Sequence, residues 1–254
     1  MQLACHADLS YNSFSGTVPS FGTLTALTYL NMSYNGLSGS LPDCFGSLSN
    51  LADLQLRRNK FTKEIPASIS SLVKLSALDL FSNSFTGTIP SFGTLTALTY
   101  LNMGSNRLAG SIPDCFGKLS RLAILYLSFN RLTGWLPTSL NSLGALKLFG
   151  VHQNYLFGTD LPFRVCSLNE SQVIVDTNCF TSPCNFAQEQ REESDCTATC
   201  GLVPPSTLPC GGRGYCNWDV DRSQAKCACD AGSAYMTDHA ACVTSTGTPW
   251  HTSQ

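Results

Sequence analysis

The sequence predicts a repeat solenoid: an arc with a parallel β-sheet on its concave face and irregular or 3-10 structure on its convex side, followed by a small disulfide-rich module. Three observations carry this expectation. Asn12, Asn35, Asn59, Asn83, Asn106, Asn130, Asn154 and Asn178 stand 23 or 24 residues apart. Each closes a phrase of the form L-x-x-L-x-L-x-x-N-x-L, whose alternating leucines make a short strand with the intervening side chains on the other face. Ten of the thirteen cysteines lie between Cys166 and Cys242, after most of the leucines. Apolar layering therefore gives way to covalent stapling along one chain.

Taken in order, the first copy is weak, with Ala4 and Ala7 at layer positions that later copies fill with leucine, and no capping element is visible before it. Leu51-Ala52-Asp53-Leu54-Gln55-Leu56-Arg57-Arg58-Asn59-Lys60-Phe61 is a full instance of the phrase. A Gly-x-Ile/Val/Leu-Pro phrase follows most copies, at 16–19, 39–42, 87–90, 110–113 and 134–137. A lone 24-residue turn cannot bury enough apolar surface to offset the entropy of ordering it, so copies must stack and share a core. The asparagines are expected to form an internal ladder, their amides bonding the backbone of neighbouring turns. A longer period overlies the short one. Residues 14–50 match residues 85–121 at 28 of 37 positions, and residues 20–32 recur unchanged at 91–103. Duplication of a three-repeat block suits a scaffold being lengthened.

Spacing and phrase together resemble the leucine-rich repeat family, in its plant-type subclass with the G-x-I-P motif. The resemblance runs from residue 4 to about 180 and implies the parallel-strand arc described above. Seven copies occupy residues 1–165. Residues 166–199 read as a degraded eighth repeat, Glu170-x-x-Val173-x-Val175-x-x-Asn178, with a cap stapled by Cys166, Cys179, Cys184 and Cys196. Four cysteines allow three connectivities. After a stiff Leu202-Val203-Pro204-Pro205-Ser206 junction, Cys200, Cys210, Cys216, Cys227, Cys229 and Cys242 are spaced C-x9-C-x5-C-x10-C-x-C-x12-C. This resembles an EGF-like module over 200–243. The resemblance implies pairing of Cys200 with Cys216, Cys210 with Cys227, and Cys229 with Cys242. A Ser/Thr-rich tail fills 244–254.

Three cysteines remain. Cys44 and Cys115 occupy equivalent places in the duplicated block, three layers apart. At about 4.8 Å per layer that is roughly 14 Å, beyond the about 7 Å a disulfide tolerates. Ser68 and Ser139 align with them, which marks a small, part-buried site holding inert thiols. Cys5 sits on the uncapped edge and is the candidate for a bond to another chain.

Cysteine density points to an oxidising compartment, and Asn31-Met32-Ser33 and Asn169-Glu170-Ser171 read as N-glycosylation acceptors. No run approaches the roughly 20 apolar residues a membrane span needs. A net charge of −2 removes the compositional case for nucleic acid. The expectation is a secreted or cell-surface glycoprotein without metal or cofactor. His6, His152, His239 and His251 have no metal-type partner spacing, and the acidic residues before Cys200 are in the wrong register for calcium.

Chemistry is sparse, and the chain is not expected to be an enzyme. Asp53 and Asp79 fall on adjacent strands roughly 8 Å apart, within the inverting-glycosidase range, but an open repeat face is expected to leave both solvated. The concave face says more. Tyr29, Tyr34, Arg57, Arg58, Asp79, Phe81, Tyr100, Tyr126 and Phe129 are the candidate ligand contacts. Aromatics interleaved with short polar groups suit peptide, protein or glycan recognition, and Arg57-Arg58 could grip a carboxylate. A glycan on Asn31 would obstruct the N-terminal half of that face. The reading is a non-catalytic recognition or adhesion scaffold. The alternative is a structural subunit that stacks end to end through its first repeat into an extracellular fibre or matrix, since exposed layer edges invite non-closing self-association.

Overall fold

The computed structural model describes residues 5–20, 22–158 and 161–180, together with four strands beyond them. Each repeat supplies two short strands. In chain order these are β1 (His6–Asp8), β2 (Ser15–Thr17), β3 (Tyr29–Asn31), β4 (Gly36–Gly39), β5 (Asp53–Gln55), β6 (Lys60–Glu64), β7 (Ala77–Asp79) and β8 (Ser84–Thr86). They continue as β9 (Tyr100–Asn102), β10 (Ala109–Gly110), β11 (Ile124–Tyr126), β12 (Arg131–Gly134), β13 (Leu148–Gly150), β14 (Tyr155–Gly158), β15 (Val173–Ile174) and β16 (Cys179–Phe180). The odd-numbered strands form one eight-stranded parallel sheet in strict chain order. The even-numbered strands form two four-stranded parallel sheets, β2-β4-β6-β8 and β10-β12-β14-β16. An isolated bridge between Thr88 and Ala109 joins them. The sequence reading had only the first sheet. The second surface arises because the residues after each asparagine are also extended and meet their counterparts one turn on.

Single 3-10 turns follow the Pro of several repeats, at Asp43–Ser47, Ala67–Ser71, Asp114–Lys118 and Thr138–Ser142. Each buries one side chain: Phe45, Ile69, Phe116 and Leu140. From β3 to β13 the central residue of each concave strand (Leu30, Leu54, Leu78, Leu101, Leu125, Phe149) enters the core. Phe61 stacks on Phe85 with centroids 6.0 Å apart, and Phe92 on Phe116 at 6.5 Å. A continuous apolar column results, sharing dispersion contacts from one layer to the next.

The asparagine ladder takes the expected form. Asn59 donates through Nδ2 to the carbonyls of Met32 (2.9 Å) and Leu56 (3.2 Å), and its Oδ1 accepts from the Leu37 N–H (3.1 Å). Asn106, Asn130, Asn154 and Asn178 repeat the pattern. Asn178 thereby places the degraded copy in register with the full ones. The residue before each asparagine is left-handed: Tyr11, Tyr34, Arg58, Ser82, Ser105, Phe129, Gln153 and Thr177 have φ between 52° and 57°. From Tyr11 to Gln153, each of these amides donates to a carbonyl of the next turn. The turn therefore carries the hydrogen-bond ladder past the end of the strand.

Cys44 and Cys115 are part-buried, and so equivalent to Ser68 and Ser139 that each of the four lies against a glycine of the preceding layer: Gly22, Gly93, Gly46 and Gly117. Cys5 is exposed. Cys166, in the short helix α1 (Phe163–Cys166), is disulfide-bonded. Beyond Phe180, strands β17 (Gly214–Asp219) and β18 (Gln224–Cys229) form an antiparallel pair, as do β19 (Ala234–Tyr235) and β20 (Cys242–Val243). The expected staples through Cys184, Cys196, Cys200 and Cys210, and the 244–254 tail, lie outside the described residues.

Candidate functional site

The parallel register converts sequence positions into rows across the concave face. Tyr29, Asp53, Ala77, Tyr100, Ile124 and Leu148 make one row. Asn31, Gln55, Asp79, Asn102, Tyr126 and Gly150 make the next. Two residues before each asparagine stand Ser33, Arg57, Phe81, Gly104, Ser128 and His152, and one residue before stand the left-handed side chains. The rows bring the candidate residues into two groups.

The larger group centres on Arg57. Tyr11 stacks on Tyr34 at 4.2 Å, the two rings nearly parallel. The Arg57 guanidinium lies 5.2 Å from the Tyr34 ring centre and 5.8 Å from that of Phe81. Arg58 covers Tyr34 at 5.4 Å. Two guanidinium groups are thus held by aromatic faces, whose quadrupoles favour the cation. The Arg57 Nε is 4.0 Å from the Asp79 carboxylate, too far for a hydrogen bond, and this buried nitrogen has no acceptor.

Asp79 corrects the sequence reading. It is only 2% exposed rather than a solvated surface group. Its Oδ1 accepts from the Phe81 N–H at 3.0 Å, and the Tyr100 hydroxyl reaches Oδ2 at 3.4 Å. Burial outweighs these contacts and pushes the carboxyl above its ordinary range, and the same cause raises the Tyr100 phenol. The physical reason is local: Phe81 and Tyr100 are large enough to close over the strand end, which an average repeat face does not do. Asn102 Nδ2 contacts the Tyr100 hydroxyl at 3.1 Å and extends the network.

A second group lies three repeats on. The Tyr126 ring fills the space a side chain would take at Gly150. His152 Nδ1 is 2.7 Å from the Ser128 hydroxyl and meets Phe129 edge-on at 4.9 Å. Burial holds the His152 pKa below its ordinary value. Among Tyr11 and the six candidate aromatics, Tyr11 and Phe129 are the open ones, at 73% and 51%. Tyr29, Tyr34, Phe81, Tyr100 and Tyr126 are half-buried. Tyr29 stays apart from both groups and stacks on His6 at 4.0 Å. Ser128 and the His6 stack were not singled out from sequence, although aligning the positions around each asparagine would have placed both residues in the same rows.

Of the two sequons, Asn31 uses its Oδ1 to accept from the Ser33 N–H, and Ser33 is 3% exposed. Asn169 is exposed. Among the described residues, no group of three His, Cys, Asp or Glu side chains could hold a metal ion. Among them, too, no helix is long and apolar enough to cross a membrane.

Residues 26–48 and 90–132 match the family described as leucine rich repeat. The repeats are leucine-rich repeats. No curated protein matches the chain. Among solved structures, a TDR receptor is 43% identical with a TM-score of 0.64, over 69% of this chain and 31% of that one. The Arabidopsis receptor kinase HAESA, solved with the peptide hormone IDA and the co-receptor SERK1, is 31% identical with a TM-score of 0.64, over 69% of this chain and 30% of its own. A plant ice-binding protein is 28% identical with a TM-score of 0.50, over 69% of this chain and 66% of its own. The chain thus spans about a third of the receptor structures it resembles. Its leucine-rich repeat arc is of the kind found in plant receptor ectodomains.

Proposed function

We propose that the chain is a non-catalytic, extracellular recognition module that takes a peptide segment of a protein or hormone across its concave face. The acidic group of that peptide would sit at Arg57 and Arg58, and its apolar side chains against Phe81, Tyr100, Tyr126 and Phe129. One observation carries the reading. Arg57 is held between two rings with a buried Nε that no acceptor satisfies, 4.0 Å from a carboxylate whose own charge is disfavoured by burial. The Arg57 side chain still keeps 39% of its surface open to solvent, so its outer N–H groups can make a charge-assisted hydrogen bond to an incoming anion. The peptide-bound receptor neighbours support the ligand class. The test is an immobilised peptide array displaying acidic, neutral and basic dodecapeptides. Capture is expected to favour acidic sequences and to fall about ten-fold or more in Arg57→Gln. Capture of neutral peptides that is unchanged in that variant would end this reading.

Two hairpins support an EGF-like C-terminal module. β17 carries the third cysteine of the six-cysteine run and β18 the fourth and fifth, while β20, paired with β19, begins at the sixth. Asn169 is the better placed of the two glycan acceptors, because it is exposed while Asn31 and Ser33 are engaged in the sheet.

A second reading, end-to-end assembly, has its own observation. Leu9, Phe14 and Leu24 are 41%, 48% and 50% exposed, whereas their counterparts Met32, Leu37 and Leu48 are all under 9%. Cys5, in the same first repeat, is exposed as well. Concentration-dependent sizing, and non-reducing electrophoresis of Cys5→Ser, check it. Strictly monomeric particles at high concentration and an unchanged gel pattern would rule it out.

A further inference from the structure

The even-numbered strands present a lateral face that is polar along most of its length. The x position of each Gly-x-Ile/Val/Leu-Pro phrase carries Thr17, Ser40, Thr88 and Ser111, and Glu64 holds the equivalent place in β6. The pattern breaks at the far end. Trp135 takes the x position after β12 and is 57% exposed. Phe157 takes the β14 position that holds Thr62, Thr86 and Thr133 in earlier copies. Their rings meet edge to face at 5.5 Å. The indole lies over Gly158, where an added Cβ would come within 2.9 Å of the Trp135 ring, and φ there is +145°. A side chain at 158 would displace the indole and strain the backbone. The aromatic pair is therefore built in, by a glycine that lets the indole lie flat on the sheet.

Two facts say what covers it. The described solenoid ends at β16, whose Cys179 and Phe180 pair in register with Phe157 and Gly158, so the chain leaves the arc beside the aromatic pair. Thirty-three residues separate Phe180 from Gly214, and the backbone of β17 then runs next to β14. The region from 181 to 254 holds eight cysteines but only Leu202 and Leu208 as leucines. A stapled module with so little apolar content gains stability from packing on a neighbour's aromatic surface.

We propose that Trp135 and Phe157 are the seat of the cysteine-rich region of the same chain, with β17 crossing β14 and the module closing over the indole. The docked module then has a fixed direction relative to the concave face. A partner that touches both would meet one rigid surface rather than two tethered ones. This inference does not depend on what the concave face binds.

The experiment uses the full oxidised chain. Trp218→Phe with Trp250→Phe leaves Trp135 as the single tryptophan. Its fluorescence is expected to resist iodide several-fold better than free N-acetyltryptophanamide, at concentrations where sizing gives a monomer. In the otherwise native chain, Trp135→Ser is expected to speed protease cleavage within 181–213 by roughly ten- to a hundred-fold, while Trp135→Phe restores most of the protection. An indole that iodide quenches freely in the monomer overturns the proposal. So does shielding that disappears on dilution, since the occupant is then a second copy. Cleavage rates unchanged by Trp135→Ser, with the far-UV spectrum intact, overturn it too.

Discussion

Replacing Asn130 by alanine tests whether the ladder, rather than the leucines alone, holds the repeats in register. Asn130 is 5% exposed. Its Nδ2 donates to the carbonyls of Met103 at 2.9 Å and Leu127 at 3.0 Å, and its Oδ1 accepts the Leu108 N–H at 2.9 Å. Alanine removes all three bonds in a layer flanked by Leu101, Leu125 and Phe149, each fully buried. A buried donor left without an acceptor costs about 1–3 kcal/mol. Adding two carbonyls that each lose a donor brings the expected loss to about 3 kcal/mol, within roughly 2–5. Asn12 provides the internal control. Among the described residues it bonds only the carbonyls of Leu9 and Ser10, and it lies in the exposed first copy, so its alanine variant should cost less than about 1 kcal/mol. Urea unfolding followed by far-UV circular dichroism gives both values, compared at equal m. Hydrogen exchange at the Leu108 amide should rise in Asn130→Ala and stay unchanged in Asn12→Ala. Losses within about 1 kcal/mol of each other would refute the reasoning.

Four further expectations follow from the same geometry. Ser82 is left-handed at φ 55°; valine there should cost about 1–2 kcal/mol, while asparagine should be neutral or stabilising, as read by thermal melts. Gly117 would place a Cβ 2.5 Å from the Ser139 carbonyl oxygen, so Gly117→Ala should destabilise, whereas Gly144→Ala, with nothing within 4 Å, should not. The Asp79 pKa is raised by burial, so the folded state holds that proton more tightly than the unfolded one. This contribution is full below the unfolded carboxylate pKa and is lost as pH rises through the folded one. Asp79→Asn should flatten that slope without lowering stability at neutral pH. His152 has the opposite linkage: its folded pKa is depressed, so stability should fall as pH drops below the ordinary histidine value, and His152→Gln should remove that fall.

The periodic part of the fold was legible because its signal repeats. Eight asparagines in phase, all but the first lying three residues past a buried apolar side chain (Met32, Leu56, Leu80, Met103, Leu127, Val151, Val175), leave little freedom in where the strands and ladder go. The lateral sheets were missed because their strands carry no alternating apolar pattern. β2 reads Ser-Gly-Thr and β4 Gly-Leu-Ser-Gly, and such strands pair because the layer spacing is already set. The site was legible only as a list of positions. Arg57, Phe81 and Tyr100 belong to different repeats, and their packing around Asp79 depends on side-chain sizes in adjacent rows. A repeat template treats each of those positions as free.

That freedom has a structural origin, and it separates function from stability in this chain. The asparagine bonds and the left-handed turn fix the backbone using main-chain groups and one invariant amide per repeat. Thr177 apart, whose hydroxyl accepts the Gln153 amide, the side chains one residue before each asparagine take no part in that backbone ladder. Tyr34, Arg58, Ser82 and Phe129 occupy the same strained turn with the same φ to within a few degrees, although their sizes and charges differ widely. A left-handed residue costs roughly 1–2 kcal/mol where glycine or asparagine would cost little. Tyrosine, arginine and phenylalanine at such a position therefore give up stability that nothing in the core recovers. No folding role accounts for those residue types, and the proposed recognition role would, because it puts them on the rim of the concave face.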